Sequence, residues 1–186
     1  LGTVYKSGKF SGKHTGTIGK FGCLSFNGNK IITTGGGGMI LTDDDDLAYR
    51  AKYLTTQAKD DPIRYIHNEI GYNFRLTNIQ AALGVAQLER LPEILKRKKE
   101  IYQSYLHNIN NIIGLRMAKV PDYSRNNHWL NILQINKNEY GKTKDFLIEK
   151  NSKVGIQTRP VWHLNHLQKP YLSCISYNIS KAQKLV

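Results

Sequence analysis

Long apolar runs, cysteines and acidic residues are all scarce in this 186-residue sequence. No stretch approaches the roughly 18 to 20 consecutive apolar residues that a membrane helix needs, and the opening LGTVYKSGKFSGK lacks the apolar core of a signal peptide. The two cysteines, Cys23 and Cys174, do not have the spacing of a zinc site or a disulfide framework. We therefore expect a globular protein of the cytoplasm, with both cysteines reduced and no membrane partner.

The shortage of acidic residues leaves the chain strongly basic. The chain contains 14 Asp and Glu and 27 Lys and Arg, which gives a formal net charge of +13. This charge favours anionic partners such as nucleotides, phosphates or nucleic acid. The basic residues are scattered, and the densest run, Lys96 to Lys99, lies in an amphipathic pattern typical of a solvated helix face. This distribution favours a small anionic ligand over nucleic acid.

The N-terminal half predicts loops, two strands and a helix. Residues 1–19 are rich in Gly, Ser, Thr and Lys and predict a loop or a short extended piece, whereas residues 20–26 and 39–42 predict strands. Asp43 to Asp46 predict an N-cap and first helical turn before a helix over 47–57. A metal site at these four carboxylates is the alternative, although adjacent carboxylates at a helix start point in different directions.

The C-terminal half alternates between helical and extended patterns. A helical period runs from Thr77 to Tyr105, where Pro92 can kink or divide the helix. Residues 128–135 predict a strand, 141–151 a helix, 154–162 a strand that enters a loop, and 180–186 a further helical stretch. This alternation indicates a small α+β lobe.

One lysine lies in a setting that suits chemistry. In SFNGNK, Ser25 ends the predicted strand and Lys30 follows on a loop before the apolar pair Ile31 and Ile32. A lysine on a rigid, partly shielded loop can act as a nucleophilic amine, although most lysines are simply solvated.

Three segments carry a family resemblance in this order: GKFGCLSFNGNKIITTGGGGMI, IGYNFRLTNIQAALGVAQLERL and RPVWHLNHLQKPY. With this spacing the chain resembles the C-terminal half of DegT/DnrJ/EryC1/StrS aminotransferases over roughly residues 2–178, in particular those acting on UDP-linked 4-keto-6-deoxy-N-acetylhexosamines. The resemblance implies an α/β, aspartate-aminotransferase-like fold (the type I pyridoxal phosphate fold) with a mostly parallel sheet. Residues 1–95 would then close the large cofactor-binding domain, and residues 96–186 would form most of the small α+β domain.

The resemblance also assigns roles around the cofactor, pyridoxal 5′-phosphate (PLP). It implies that Lys30 holds PLP as a Schiff base and moves a proton between substrate and cofactor, and that the Ser25 hydroxyl binds the cofactor phosphate. Asn73 resembles the residue that reaches the phosphate bound by the other subunit, which implies a homodimer. Arg75 could hold a phosphate or carboxylate, or form a surface or interface salt bridge.

Two further groups of residues have competing interpretations. Gly35 to Gly38 could offer backbone N–H groups to an anion, but the plainer interpretation is that they allow positive φ angles and close backbone approach after Lys30. By resemblance, Trp162, His163 and His166 contact the sugar nucleotide; structural packing is the second interpretation. A metal site at the two histidines is the third, and no further ligand is marked for it.

The implied reaction moves an amino group from L-glutamate to the 4-keto carbon of a nucleotide-linked deoxy sugar, for surface polysaccharides or glycans. In similar enzymes, the aspartate that pairs with the pyridine nitrogen lies upstream of the matched segments, so we expect this chain alone to be nearly inactive. A related PLP-dependent sugar 3-dehydratase would carry histidine in place of Lys30. The alternative from another class is a basic module on the same fold that binds phosphate or nucleic acid, or a non-catalytic regulator.

Overall fold

The structure, a computed structural model, describes residues 1–185. These residues form two compact units: one comprises Leu1–His107 with Lys119–Asn131, and the other comprises Asn108–Ala118 with the chain from Ile132 onward. The units reflect contacts within this chain, whereas the boundary expected between residues 95 and 96 concerns the domains of an intact enzyme. That boundary stays a prediction.

Two groups of short strands are each followed by a group of helices along the chain. In chain order the elements are β1 (Val4–Tyr5), β2 (Gly22–Ser25), β3 (Gly38–Leu41), α1 (Asp45–Thr55), α2 (Asn78–Glu89), α3 (Leu91–Ile109), β4 (Leu115–Met117), β5 (Ser124–Arg125), β6 (Leu133–Ile135), α4 (Lys137–Tyr140), α5 (Lys144–Lys153) and α6 (Ser180–Leu185), with short 3-10 helices at Asn165–Leu167 and Lys169–Tyr171. None of the helices in residues 1–185 is both long and apolar enough to cross a membrane.

The two predicted strands of the N-terminal half form a hairpin. β2 pairs antiparallel with β3, from Gly22 opposite Leu41 to Ser25 opposite Gly38. Phe26 and Ile32 are buried beyond the end of β2, so the loop that joins the strands folds back on its own apolar centre. The opening residues contribute the short strand β1, which pairs with β5.

The acidic run begins α1 as the sequence predicts. Asp44 is the N-cap and its carboxylate accepts a hydrogen bond from the Leu47 N–H at 3.0 Å, while Asp45 and Asp46 occupy the first turn. There their negative charge faces the positive end of the helix dipole. Helix capping accounts for these carboxylates.

The long helical pattern divides into two helices near Pro92. α2 begins with a capping box, in which the Thr77 hydroxyl accepts from the Gln80 N–H and the Gln80 side chain accepts from the Thr77 N–H. α2 ends at Glu89 and α3 starts at Leu91. Pro92 therefore lies in the first turn of α3, where a missing N–H costs no helical hydrogen bond.

The second unit confirms some predicted elements and overturns others. The predicted helix over 141–151 is present as α5, with the Thr143 hydroxyl accepting from the Phe146 N–H at 3.2 Å. The predicted strand over 128–135 shrinks to β6, because its partner β4 offers only Leu115–Met117. The strand predicted over 154–162 is wrong: these residues pair with no strand in the described chain, and Pro160 removes a ladder donor. The helical stretch over 180–186 is present as α6, whereas Val186 lies outside the described residues.

Candidate active site

Lys30 lies on the ordered loop that joins β2 to β3. Its backbone N–H donates to the Asn27 carbonyl at 3.0 Å, and the Thr34 N–H donates to the Phe26 carbonyl at 3.0 Å. Ile32 and Thr34 are each only 4% exposed, so the centre of the loop is buried while Lys30 is half-buried. The loop therefore presents a lysine amine from a fixed backbone.

Trp129 packs directly against this lysine. The Lys30 Nζ lies 4.0 Å from the centroid of the Trp129 ring, within the range of a cation–π interaction. The Trp129 Nε1–H also donates to the Asn29 carbonyl at 2.7 Å. Sequence reasoning missed this contact, because residues 128–135 read as a strand and nothing local links Trp129 to a loop 100 positions earlier.

Gln87 anchors the same loop from α2. Its Oε1 accepts from the Thr33 N–H at 3.0 Å and its Nε2 donates to the Thr33 carbonyl at 2.8 Å. These two hydrogen bonds satisfy both the backbone N–H and the backbone carbonyl of Thr33, as a neighbouring strand would. In the sequence, the only sign of this anchor is that Gln87 carries an amide within the otherwise apolar stretch 81–88 of α2.

Three of the four glycines adopt the conformations that their plainer interpretation requires. Gly35 and Gly37 have φ angles of +80° and +85°. A Cβ on Gly37 would lie 2.7 Å from Leu76 Cδ1, and one on Gly38 would lie 2.5 Å from the Leu24 carbonyl oxygen. Positive φ and close approach account for these three positions without a bound anion, whereas Gly36 shows neither constraint.

Ser25 lies at the strand end where the sequence predicts it. It is the last residue of β2, opposite Gly38, and it is exposed. Its hydroxyl makes no hydrogen bond to the part of the chain that the structure describes, so the alternative of a serine bonded to its own backbone is not what is observed. The hydroxyl is free to donate to a ligand oxygen.

Asn73 and Arg75 follow a loop that is tied down by polar contacts. Asp60 accepts from the Asn68 N–H at 2.7 Å and the Tyr53 hydroxyl at 3.0 Å, and the Asn68 hydrogen bond contributes most to lowering the pKa of Asp60. The Arg50 guanidinium forms a two-bonded pair with the Glu69 carboxylate and holds the pKa of Glu69 below its ordinary value. These contacts fix the ends of the loop while its middle is exposed.

Asn73 and Arg75 come directly after this loop, and their side chains are exposed. Asn73 forms an isolated bridge with Thr56 through its backbone, and the Phe74 N–H donates to the Thr55 carbonyl at 3.0 Å. The side chains of Asn73 and Arg75 are exposed and have no ion-pair or hydrogen-bond partner within residues 1–185. No such contact joins them to Ser25 or Lys30 in that range.

A cleft of about 1,100 Å³ lies beside the hairpin and α1. Arg75 lines it, whereas Ser25, Lys30 and Asn73 do not. Its walls mix apolar side chains such as Leu24 and Met39 with polar and charged ones such as Lys52 and Gln80. Because Ser25 and Lys30 lie outside this cleft, we place the candidate site at the Lys30 loop instead.

The three residues expected to contact a sugar nucleotide lie in the second unit. Trp162 is 65% exposed and His163 is exposed, on the segment that is coil instead of strand. His166 lies in the short helix Asn165–Leu167, and its Nε2 is buried without a hydrogen-bond partner among the described residues. Within residues 1–185 no three His, Cys, Asp or Glu side chains are grouped to hold a metal ion.

The sequence matches the profile of the DegT/DnrJ/EryC1/StrS aminotransferase family over residues 2–185. The chain belongs to this family. The GDP-perosamine synthase of Caulobacter vibrioides is 40% identical to it over 164 residues, which cover 87% of this chain and 44% of that protein. The GDP-perosamine synthase of Escherichia coli O157:H7 is 37% identical over 164 residues, covering 88% and 43%.

A solved structure agrees with this family assignment. The crystal structure of DesI with its TDP-sugar product matches the chain with a TM-score of 0.82 and 26% identity, covering 94% of this chain and 44% of that one. The chain thus has the fold of the C-terminal part of a type I PLP enzyme, and it spans less than half the length of the relatives it matches. All three strand pairs within residues 1–185 are antiparallel, so the mostly parallel sheet expected of the intact enzyme stays a prediction.

Aminotransferases of this family depend on PLP, and the donor set around the loop suits that cofactor. Lys30 supplies a primary amine that no carboxylate pairs with in residues 1–185, and Ser25 supplies an unused hydroxyl at the start of the same loop. PLP needs an amine for its aldehyde and hydrogen-bond donors for its phosphate. Both kinds of group are present on one ordered turn.

Proposed function

We propose that the full-length protein containing this chain is a PLP-dependent aminotransferase that transfers the amino group of L-glutamate to the 4-keto carbon of a nucleotide-linked deoxy sugar. The observation that carries the proposal is the Lys30 loop, on which the half-buried amine and the free Ser25 hydroxyl lie five positions apart on a backbone anchored at several points. Family membership supports the reaction class.

Each residue has a proposed task. Lys30 bonds to the cofactor at rest, and once released it carries a proton between the substrate carbon and the cofactor. Ser25 donates a hydrogen bond to the cofactor phosphate, Asn73 reaches the phosphate bound by a second copy, and Arg75 holds a phosphate or carboxylate through its guanidinium group. PLP, when bound, supplies the electron sink that makes the substrate carbon acidic.

The proposed sugar-nucleotide contacts come from the second unit. Trp162 offers an exposed aromatic face to a sugar ring, and His163 and His166 offer imidazole groups to hydroxyl or diphosphate oxygens. Relatives that carry GDP and TDP in their names support a nucleotide-linked substrate but differ in the base. We therefore propose the substrate class without naming the nucleotide, and surface polysaccharide or glycan synthesis as the use of the product.

The residues proposed to bind PLP also imply how the protein is assembled. Because Asn73 would act on a second subunit, we propose a homodimer with shared sites, located in the cytoplasm. In the intact enzyme, residues 1–95 would belong to the large domain and 96–186 to the small one. We also propose that the chain by itself has almost no activity, because no carboxylate for the pyridine nitrogen is assigned within it.

Absorbance spectroscopy of the full-length protein with PLP tests this proposal. We expect a visible band from the lysine-bound cofactor, lost in Lys30→Ala and bleached by L-glutamate as the amino group moves to the cofactor. Lys59→Ala is the matched control, since Lys59 also lies beside an aromatic ring, 5.2 Å from the Tyr65 centroid, and should keep the band.

Two outcomes would contradict the proposal. A wild-type protein without the band would leave a basic binding module as the better interpretation, to be checked by the salt dependence of its binding to phosphate ligands. A band that persists in Lys30→Ala would place the cofactor on another lysine.

A further inference from the structure

The residues just before Trp129 form a tightly constrained turn. His128 has a φ angle of +49°, which a residue other than glycine rarely adopts. The Asn126 Oδ1 accepts from the His128 N–H at 2.7 Å, and the Asn127 Oδ1 accepts from the Trp129 N–H at 3.0 Å. A backbone in this region persists only where several contacts fix it, and such positions concentrate at functional sites.

Contacts from the rest of the first unit hold the turn in place. The Asn127 Nδ2 donates to the Leu1 carbonyl at 2.8 Å, and its N–H donates to Thr3 Oγ1 at 3.2 Å. The His128 ring stacks on Tyr102 with centroids 4.4 Å apart, and burial lowers the pKa of His128, with Lys99 adding to the effect. The lowered pKa favours the uncharged imidazole, and its stacking on Tyr102 adds to the contacts that hold the turn.

The Trp129 indole, which follows this turn, makes two contacts with the Lys30 loop. Its face lies 4.0 Å from the Lys30 Nζ, and its N–H fixes the carbonyl of Asn29, the residue before the lysine. An aromatic face attracts the localised charge of a free ammonium, and we infer a weaker attraction once the nitrogen is bonded to a cofactor and its charge is shared with the cofactor ring. The indole thus favours the state in which Lys30 is free.

We propose that Trp129 is a positioning residue that holds the Lys30 ammonium whenever the lysine is not bonded to the cofactor. The proposal rests on the function proposed above and extends it. In the proposed reaction, the glutamate amine would displace Lys30 from the cofactor and so free the lysine, and water would later release 2-oxoglutarate and leave the amino group on the cofactor. Throughout that interval Trp129 would hold the freed lysine in the position that the structure shows, instead of letting it swing into solvent.

Acetylation of the cofactor-free, full-length protein tests the contact without any enzyme activity. Lysines would be acetylated with a limiting N-hydroxysuccinimide ester and the rates of Lys30 and Lys59 measured by mass spectrometry. We expect Lys30 to react about threefold to thirtyfold faster in Trp129→Leu, and by a smaller factor in Trp129→Phe, which keeps an aromatic face. Tyr65→Leu is the matched control and should accelerate Lys59 but not Lys30.

Trp129→Phe decides the question if Trp129→Leu fails to fold, which a circular dichroism spectrum would reveal. Lys30 acetylation at the wild-type rate in Trp129→Phe, and in Trp129→Leu where that variant folds, would overturn the proposal. So would equal acceleration of Lys59, since that would indicate general loosening.

A second measurement links the contact to the reaction. In the PLP-loaded protein, titration with glutamate and 2-oxoglutarate gives the equilibrium between the lysine-bound form and the form with Lys30 free. Trp129→Leu should shift it toward the bound form by about threefold to thirtyfold. A wild-type protein without the visible band would overturn the proposed function, whereas a normal band with an unshifted equilibrium and unchanged acetylation would overturn only the role of Trp129.

Discussion

Gly35 and Gly37 follow Lys30 in the loop and show why single residues matter here. Both have positive φ angles, but only Gly37 also lies against a side chain, Leu76. Gly28, before the lysine, has neither constraint. A comparison of Gly28, Gly35 and Gly37 therefore distinguishes the cost of a positive φ angle from the cost of a steric clash within one loop.

We predict graded costs when each is replaced by alanine in the full-length protein. Gly28→Ala should be close to neutral, and Gly35→Ala should lower the free energy of unfolding by about 1 kcal/mol because an L residue resists positive φ. Gly37→Ala should cost more, since its Cβ would also displace Leu76. Chemical denaturation curves would measure the series, and equal costs at all three positions would contradict it.

At this scale the sequence predicted positions inside a local motif and missed contacts between distant ones. Lys30, Ser25 and the glycines lie within one contiguous segment, so turn chemistry and strand ends were readable. Gln87 and Trp129 reach the loop from 54 and 100 positions away. Such pairings arise only when elements pack, and no local pattern encodes them.

Among the elements, those with a start signal were predicted well. α1, α2 and α5 each begin at a side-chain cap, supplied by Asp44, Thr77 and Thr143. Strands fared worse, because a strand exists only if a partner is present: β6 is short where its partner is short, and residues 154–162 are unpaired in the described chain. Helices are local structures and strands are not.

The capping box of α2 gives a prediction at this scale. Thr77→Ala should lower the free energy of unfolding by about 1 kcal/mol, because the Gln80 N–H loses its acceptor. Thr77→Ser keeps the hydroxyl and serves as the control, with a smaller loss. Denaturant unfolding of the full-length variants would measure both, and an equal loss in the two would show that the methyl group, not the cap, is responsible.

For the whole molecule, exposed apolar surface is the dominant property. The chain exposes 14640 Å², whereas a compact protein of 21.2 kDa exposes about 9,000 Å² as one domain or about 11,000 Å² as two. On α2, Ile79 is 85%, Val85 57% and Leu88 52% exposed. Monomeric proteins rarely leave such groups uncovered, which agrees with a chain that spans less than half of its relatives.

We predict that the 186-residue chain produced alone binds a hydrophobic dye and self-associates, whereas the full-length protein does neither beyond the proposed dimer. Replacing Ile79 and Val85 with lysine should reduce dye binding by the isolated chain, because both side chains lie on exposed helix surface. Replacing exposed Gln103 with lysine is the control for added charge. Dye fluorescence and analytical ultracentrifugation would test this, and a monomeric wild-type chain without dye binding would contradict it.

The distance along the chain between the lysine loop and its anchors also has a consequence for biosynthesis. After Lys30 leaves the ribosome, about 100 further residues must follow before Trp129 leaves it, which at about 5 to 20 residues per second is roughly 5 to 20 s of further translation. The nascent loop lacks its Gln87 partner for more than half of that time and lacks the Trp129 indole throughout. If PLP binds at Lys30 as proposed, its capture is a late event in the life of the newly made polypeptide, after the segment up to Trp129 has been synthesised.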